Sequence, residues 1–426
     1  MNKFIFEEYY FDRTTLTATF SYRFQAGMYF KESITFKNAI EYNEELLDRV
    51  LFLSFMLVGT SYYKLFPSSE IEIQTGSLDD WQVNFFSHVY QEGLSQFAYE
   101  NGLTRNDLAQ FHSSATELPE VINFDGEGII ALQSGGKDSL LTASLLTGMH
   151  QAFSPWYVSY SEHHPLVLDT LGSSLNIAER HLDKEMLKSG AKNGGLNGHV
   201  PVTYIVMSFA LIEAVLIGKN KILVSIGHEG EEPHGWIGDL PVNHQWSKTW
   251  PAEKAFSDYV KRYISPDIGV ASPLRSYSEL KIAELFVKNA WYKFGHKFSS
   301  CNRANYAQGS DNTALNWCGE CPKCANSFLL FAPFLPAEEL KSIFNGQDLF
   351  NKPQLRDTFK GLLGIDGAMK PFECIGEISE LRFAYHKAQA TGDYDGLPFE
   401  VPVAEFNYDQ IYPHQEWASQ LLGQPL

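Results

Sequence analysis

The sequence predicts an α/β protein in which a parallel-sheet domain, residues 121–335, follows an N-terminal α+β accessory domain, residues 1–120, and precedes a mostly helical region, residues 336–426. Three observations predict this organisation. After residue 121, short apolar strands alternate with helix-like segments, which is typical of a parallel sheet. Near the N-terminus, apolar and polar side chains alternate as they do in a half-buried antiparallel sheet. Beyond Pro333 the chain is helix-like and rich in turns.

The N-terminal region is predicted to combine a meander with two helices. Within residues 4–36, apolar side chains from Leu16 to Phe24 occupy every second position, and mostly hydroxylated residues lie between them. This alternation predicts antiparallel strands with one buried face. The elements predicted next are a helix over 44–65, capped by Asn43 and ended by Pro67, a strand over 71–73, and a helix over 81–100, ended by Gly102.

The central region is predicted to contain three parallel strands, over residues 129–133, 156–160 and 222–226. A helix begins at Pro201, where the missing N–H group costs nothing, and ends near Asn220. In an open parallel sheet, ligands bind beyond the carboxyl ends of the strands. We therefore expect the loops after these three strands to face one cleft.

Charge and hydropathy exclude several classes of protein. The chain of 426 residues has 33 Lys and Arg against 51 Asp and Glu, a formal charge of −18, which disfavours attraction to nucleic acid or an anionic membrane. Its longest apolar stretches, 50–58 and 204–211, are shorter than the roughly 18 residues that a membrane span requires. The N-terminus lacks the apolar core of a secretory signal. We expect a cytoplasmic protein without nucleic-acid or membrane partners; the oligomeric state stays open.

The glycine-rich loop Ser134-Gly135-Gly136-Lys137-Asp138-Ser139 connects an apolar strand to a helix-like segment. Two glycines let a backbone turn tightly and approach a ligand, and the free N–H groups and dipole at a helix start favour a phosphate. The two serines add hydroxyl donors. Because the spacing matches neither the Walker loop nor the dinucleotide fingerprint, it predicts a phosphate-binding loop of another kind. The alternative is a plain turn between a strand and a helix.

Two polar stretches follow the third predicted strand. The first contains His228 and Glu229, and the second contains His244 and Lys248. Imidazole, carboxylate and ammonium groups at the edge of a cleft can bind Mg²⁺, hold phosphates or transfer protons. The alternative for each residue is a place in a solvated acidic loop or a helix cap.

Two further candidates lie next to predicted helices. His199 precedes the helix that begins at Pro201, and Arg275 precedes a helix-like segment over 278–288. A guanidinium group can clamp a carboxylate or a phosphate with two parallel hydrogen bonds. The alternatives are a structural hydrogen bond for the histidine and an exposed surface position for the arginine.

Four of the five cysteines have the spacing C-x16-C-x2-C-x2-C, formed by Cys301, Cys318, Cys321 and Cys324. Four thiolates form the closed tetrahedral shell of a structural zinc. Reduced or redox-active cysteines and an iron–sulfur cluster are the alternatives. Cys374 is distant in sequence and is interpreted as a buried free thiol.

The glycine-rich loop resembles the S-G-G-x-D-S loop of the PP-loop ATP pyrophosphatases, and further strings narrow the family. The chain is similar to the UDP-N-acetylmuramoyl-L-alanyl-L-glutamate epimerases of the MurL type. The strings that carry this resemblance run through most of the chain, and they are residues 59–64, 101–103, 134–139, 197–203, 242–248, 272–275 and 317–324.

The resemblance implies an ATP- and Mg²⁺-dependent inversion of the terminal L-Glu of UDP-MurNAc-L-Ala-L-Glu, with release of AMP and pyrophosphate. It also implies a sheet of the PP-loop, adenine nucleotide alpha hydrolase-like type. The loop residues that match the family motif, and that would hold the phosphates of ATP, are Ser134, Gly135, Gly136, Asp138 and Ser139.

Roles for the remaining candidates follow from this reaction. Lys137 is expected to neutralise phosphate charge, and Asp138 to place Mg²⁺ or cap the helix. The residues proposed for α-proton transfer are His228, His244 and Lys248, with Glu229 as a metal or proton partner. The nucleotide-linked muramyl dipeptide would contact His199 and Arg275, and the four clustered cysteines would hold structural zinc.

Two other functions compete with this interpretation. A PP-loop enzyme like 7-cyano-7-deazaguanine synthase also combines such a loop with four cysteines, but it passes the activated carboxylate to ammonia. The additional N-terminal region and the string 242–248 argue against it, and the acidic balance argues against a tRNA-thiolating enzyme. A non-catalytic module would bind ATP without releasing pyrophosphate.

Overall fold

A computed structural model describes residues 3–115, 119–161, 163–305 and 313–423. Its central feature is a nine-stranded sheet with the strand order β11-β8-β5-β6-β7-β3-β2-β1-β4, and a two-stranded hairpin, β9–β10, lies beside it. The strands are β1 Phe4–Asp12, β2 Thr17–Phe24, β3 Tyr29–Thr35, β4 Ile71–Ile73, β5 Ile129–Leu132, β6 Ser154–Ser159, β7 Asn176–His181, β8 Lys221–Leu223, β9 Gly235–Ile237, β10 Leu240–Val242 and β11 Gly269–Ala271.

The sheet has a parallel half and an antiparallel half. Strands β11, β8, β5, β6 and β7 pair in parallel, and β1, β2 and β3 form the predicted antiparallel meander. The two halves meet where Ser33–Thr35 of β3 pair antiparallel with Glu179–His181 of β7. The α/β fold class is confirmed, and the sheet is continuous across the predicted boundary at residue 120. The boundaries at 120 and 335 remain predictions.

Sixteen α-helices of the described residues flank the sheet and form the C-terminal region. They are α1 Glu44–Val58, α2 Thr60–Tyr63, α3 Asp80–Gln91, α4 Ser95–Glu100, α5 Lys137–Gly148, α6 Lys184–Lys192, α7 Val202–Leu216, α8 Trp250–Tyr259, α9 Glu279–Asn289, α10 Trp291–Phe294, α11 Asn302–Asn305, α12 Pro322–Phe331, α13 Ala337–Ile343, α14 Arg356–Leu362, α15 Ile378–Gln389 and α16 Glu416–Ser419.

Local sequence explains the helix boundaries. Asn43 caps α1 as predicted, because its side chain accepts a hydrogen bond from the Leu46 N–H at 2.9 Å. The predicted helix over 44–65 is interrupted at Gly59, where an added Cβ would lie 2.6 Å from the Phe6 ring. The predicted helix over 81–100 is likewise divided near Gly93, where a Cβ would lie 2.4 Å from the Val89 carbonyl oxygen. Both glycines therefore allow close packing that a larger residue would prevent.

Alternate strand residues bury two apolar cores, one on each face of the sheet. Ile130, Ile222 and Val270 join the core that contains α1 and α7. Their neighbours Ile129, Leu223 and Ala271 join the core that contains α5, α9 and α12. Among the described residues one stretch, Glu44–Tyr63, has the length and apolar character of a membrane span, and 89% of its apolar window is buried inside the fold.

Candidate active site

A cavity of about 340 Å³ opens at the carboxyl edge of the parallel strands. Its walls include Leu132–Ser134 after β5, Val224–Ile226 after β8, and the first turn of α7. Ligand cavities in proteins commonly have volumes of this order. The loops after β5 and β8 therefore face one cleft, as predicted, but the described residues of the loop after β6, which was expected there too, do not line it. The loop after β6 lies behind the glycine-rich loop, where Pro165 and Val167 pack against Gly135.

The glycine-rich loop turns between β5 and α5 with no room for larger side chains. Gly135 has a φ of +79°, and an added Cβ would lie 2.5 Å from Leu315 Cδ1. A Cβ on Gly136 would lie 3.1 Å from Ser300 Oγ, across the cavity mouth. The backbone conformation therefore favours glycine at position 135, whereas a larger residue at position 136 would require Ser300 to move by a few tenths of an ångström.

The first turn of α5 presents uncapped N–H groups beside two serine hydroxyls. Gly136 is the N-cap residue, and no side chain caps the helix. The Ser134 N–H donates to Ser139 Oγ at 3.3 Å, and the Gly136 N–H donates to Ser134 Oγ at 3.3 Å. Because Ser134, Gly136, Asp138 and Ser139 all line the cavity, the loop is a candidate anion site at a helix N-terminus.

Lys137 lies behind this loop in a buried cluster of charges. Its Nζ donates to Asp138 Oδ1 and to Glu279 Oε2, both at 2.6 Å. Burial alone would lower the pKa of Lys137, but the two carboxylates raise it above its ordinary value. Lys137 therefore stays charged, and its ammonium group is bound by the carboxylates of Asp138 and Glu279. Its predicted contact with phosphate remains a prediction.

Glu229 and Lys248 complete the same cluster. Lys248 Nζ donates to Glu229 Oε1 at 3.1 Å, and Lys248 also lines the cavity. Burial alone would raise the pKa of Glu229. The positive charges of Lys248 and Lys137 outweigh this effect, so the pKa of Glu229 lies below its ordinary value. Burial, with the nearby Asp138 and Glu229, raises the pKa of Glu279 despite its lysine partner. The cluster thus contains three carboxylates and two ammonium groups, and Asp138 and Lys248 are its members that line the cavity.

A separate group of histidines surrounds His244. The ring centroids of His199 and His244 are 4.3 Å apart, and those of His234 and His244 are 6.5 Å apart. His244 Nδ1 lies 2.6 Å from Gln96 Oε1. Burial lowers the pKa of His199 to about 3 and that of His244 to about 4. These histidines are therefore neutral near pH 7, which suits proton acceptance more than proton donation.

His228 is not part of that group. Its ring stacks on Tyr412 with a centroid separation of 3.6 Å, and its backbone N–H donates to the Tyr277 carbonyl oxygen at 2.7 Å. Burial, with the Arg275 charge, lowers its pKa to about 4. The structure therefore places His228 between the loop after β8 and the C-terminal segment, apart from the lining of the cavity.

Arg275 is fully buried, and its guanidinium group is occupied by the protein. It forms an ion pair with Glu253 at 2.8 Å and donates to the carbonyl oxygens of Gly227 and Lys248 at 2.7 and 2.8 Å. The side chain is 0% exposed. These contacts do not fit the predicted role of Arg275 as a substrate clamp. They fit a positioning role, because Arg275 ties together the two loops that carry Glu229 and Lys248.

The four clustered cysteines converge as their spacing predicts. Their sulfur atoms all lie within 4.8 Å of one another. Three of the separations are Cys301 to Cys321, 3.6 Å, Cys318 to Cys324, 3.7 Å, and Cys321 to Cys324, 3.5 Å. A tetrahedron with Zn–S bonds of about 2.3 Å has edges of about 3.8 Å. The sulfur positions therefore fit a four-thiolate zinc site.

Sequence reasoning missed several residues that the fold brings to the cavity or to the charged cluster beside it. Gln133, Lys323 and Cys374 line the cavity, and Glu279 binds Lys137. Among the described residues, the Lys323 ammonium group has no hydrogen-bond or ion-pair partner, which leaves its charge available to a ligand. A usable signal existed only for Gln133, next to the loop, and for Lys323, between two clustered cysteines.

Comparisons with known proteins cover nearly the whole chain. The family models of the MurL N-terminal domain and the MurL C-terminal domain match residues 1–272 and 297–411. Three curated relatives carry the name UDP-N-acetyl-alpha-D-muramoyl-L-alanyl-L-glutamate epimerase. The relative from Xanthomonas oryzae pv. oryzae is 32% identical, and the aligned region covers 88% of this chain and 82% of the relative. The relative from Salinispora tropica is 32% identical, and the aligned region covers 98% of this chain and 90% of the relative. The relative from a Micromonospora species is 31% identical, and the aligned region covers 89% of this chain and 85% of the relative.

Proposed function

This chain belongs to the MurL family, and on that premise we propose that it is an isomerase that inverts the terminal L-Glu of UDP-MurNAc-L-Ala-L-Glu. The observation that carries the proposal is the match to MurL domains at both ends of the chain, and the glycine-rich loop that lines the cavity supports it. The sequence resemblance to MurL-type epimerases is confirmed by these matches. Use of ATP as co-substrate would place the reaction in the cytoplasm.

We propose that the first step is adenylation of the glutamyl carboxylate. An oxygen of the α-carboxylate attacks the α-phosphorus of ATP, the bond to the β-phosphate breaks, and pyrophosphate leaves. The uncapped amides of the first turn of α5 and the hydroxyls of Ser134 and Ser139 support this step, because such groups bind phosphate oxygens. Lys323 supplies a further positive charge at the cavity wall.

Adenylation makes the α-hydrogen removable. Removing a proton next to a carboxylate would add negative charge to an anion, whereas the carbonyl of a mixed anhydride can accept that charge as an enolate. Each gain of about 1.4 kcal/mol at the transition state is worth roughly tenfold in rate. A proton returned to the opposite face inverts the centre, and water then releases AMP.

Mg²⁺ and zinc would have different places in this scheme. Asp138 lines the cavity and its carboxylate is partly exposed, so it is suited to hold Mg²⁺, which would neutralise charge on the phosphates. The cysteine sulfurs are suited to a structural zinc. By fixing Cys324 and Cys301, that metal would also position Lys323, Ser300 and Asn302, which line the cavity.

The proposal is tested by incubating the protein with ATP, Mg²⁺ and UDP-MurNAc-L-Ala-L-Glu in D₂O. Pyrophosphate, AMP, deuterium at the glutamyl α-carbon and the configuration of that residue are then measured. We expect AMP and pyrophosphate in equal amounts and a deuterated D-Glu product. AMP without α-exchange would contradict the epimerase and favour an amide-forming reaction, and ATP binding without pyrophosphate would favour a non-catalytic module.

A further inference from the structure

Cys374 is the cysteine that lies outside the four-sulfur cluster, and it lines the cavity. It shares this wall with the glycine-rich loop residues Ser134 and Ser139 and with Lys248. The thiol is partly buried and forms no disulfide. Since the loop would hold the phosphates of ATP, an adenylated carboxyl group in this cavity would lie near the Cys374 sulfur.

Lys248 provides Cys374 with a cationic neighbour. Burial alone would lower the pKa of Lys248, but the Cys374 sulfur, with Glu229 and the carboxylates behind it, raises the pKa above its ordinary value. Lys248 therefore stays an ammonium group and cannot itself accept a proton at rest. Its positive charge lies on the same wall of the cavity as the Cys374 sulfur.

Gln133 supplies independent support for a ligand in the same cavity. Its side chain is 7% exposed, and within the described part of the chain its Oε1 atom accepts no hydrogen bond. Gln133 lines the cavity together with Cys374 and Lys248. Buried acceptors without a partner are rare because they lose their hydration without compensation. A donor group of a bound molecule would satisfy this acceptor.

We propose that the Cys374 sulfur moves the glutamyl α-proton on one face of the substrate, beside the Lys248 ammonium group on the same cavity wall. This inference rests on the proposed epimerase function and deepens it. The sulfur takes the α-proton and becomes a thiol, while the electron pair of the C–H bond enters the enolate of the adenylated carboxyl group. A solvent-exchanging group on the opposite face returns a proton to the same carbon. In the reverse direction the Cys374 thiol donates its proton to the enolate.

The test uses the full-length protein and its Cys374→Ala variant. ATP–pyrophosphate exchange reports adenylation, and α-deuterium incorporation in D₂O is measured separately from the L-Glu and the D-Glu forms of the substrate. We expect pyrophosphate exchange within about threefold of wild type. Removing a general acid–base group typically costs about 10²–10⁴-fold, so inversion should fall at least 100-fold. Exchange of the α-hydrogen should persist from one epimer only, because the group on the other face is intact.

A matched control is Met369→Ala, since Met369 is an exposed residue of the same C-terminal loop, and it should retain both activities. Inversion at the wild-type rate in Cys374→Ala would overturn the inference. An equal loss of α-hydrogen exchange from both epimers, with pyrophosphate exchange unchanged, would also overturn it.

If the variant does not fold, the wild-type protein is alkylated with iodoacetamide. Blocking Cys374 should abolish inversion, and substrate with ATP should protect it; full inversion after alkylation would overturn the inference. Failure of the proposed epimerase function can be distinguished from failure of this inference, because in that case the wild-type protein itself would release no pyrophosphate.

Discussion

Lys137 and Glu279 are 142 positions apart in the chain, yet they meet in a buried ion pair with a separation of 2.6 Å between Nζ and Oε2. The pair joins the start of α5, which follows the glycine-rich loop, to the start of α9. Lys137 holds Asp138 in the same way. The lysine therefore fixes the shape of the anion site from behind.

Replacing Lys137 by Met should destabilise the protein by about 3–5 kcal/mol, because it leaves buried carboxylates without a counter-charge. Urea unfolding followed by circular dichroism measures this change. Adding Glu279→Gln should recover part of the loss, since one of the unpaired carboxylates is then removed. A loss below about 1 kcal/mol in Lys137→Met would contradict a stabilising role for the pair.

Gly135→Ala should abolish the use of ATP. The φ of +79° costs a residue with a Cβ about 1–2 kcal/mol, and the new atom would contact Leu315 Cδ1 at 2.5 Å. We expect pyrophosphate release to fall at least tenfold, measured with the full substrate mixture. Gly148→Ala, at the end of the helix that follows the loop, is the control, because a Cβ there meets no atom of the described residues within 4 Å. Normal ATP kinetics in Gly135→Ala would show that the loop does not contact the nucleotide.

Local patterns predicted the elements that local interactions determine. Alternation at Leu16–Phe24 identified β2 and its neighbours, and Asn43 identified the start of α1. The same patterns missed β7, whose sequence Asn176–His181 is largely polar, and β11, which has only three residues. Those two strands are defined by pairing with β6 and β8. Strand pairing between distant segments leaves little trace in a local pattern.

The candidate site was likewise predictable only where its residues are close together in the sequence. The glycine-rich loop and the cysteine spacing each carry their chemistry within a few residues, and the structure brings their members together. Arg275 could not be distinguished in sequence from a ligand-binding arginine, since its buried partner Glu253 is 22 residues away. Cys374 reaches the cavity only because the C-terminal chain folds back over the sheet. Contacts of this kind require the tertiary fold.

The four-cysteine cluster should bind one zinc ion per chain. Metal analysis of the purified protein should give a ratio near one, and Cys321→Ser should lose the metal and lower the unfolding temperature, because zinc binding contributes folding free energy. Cys374→Ser is the matched control, since its sulfur lies outside the cluster, and it should keep the zinc. A metal-free wild-type protein with unchanged stability, or a bound iron–sulfur cluster seen in the visible spectrum, would contradict this prediction.

The histidine group around His244 should make stability fall in mild acid. The folded protein holds the pKa of His199 near 3 and those of His234 and His244 near 4, mainly through burial, whereas an unfolded histidine titrates near 6.5. The unfolded state therefore binds more protons between pH 6.5 and 4. The stability that these residues contribute is present above pH 6.5 and is lost as the pH falls towards 4, by up to about 1.4 kcal/mol per pH unit for each proton.

Urea unfolding at several pH values between 4 and 7 measures this slope. His244→Gln should reduce the slope by up to one proton, because the glutamine does not titrate, although the loss of its contact with Gln96 lowers the stability at pH 7. His150→Asn is the control, since His150 is exposed at the end of α5 and asparagine tolerates its φ of +54°. An unchanged slope in His244→Gln would show that His244 titrates alike in the folded and unfolded states, and would contradict the lowered pKa of its buried ring.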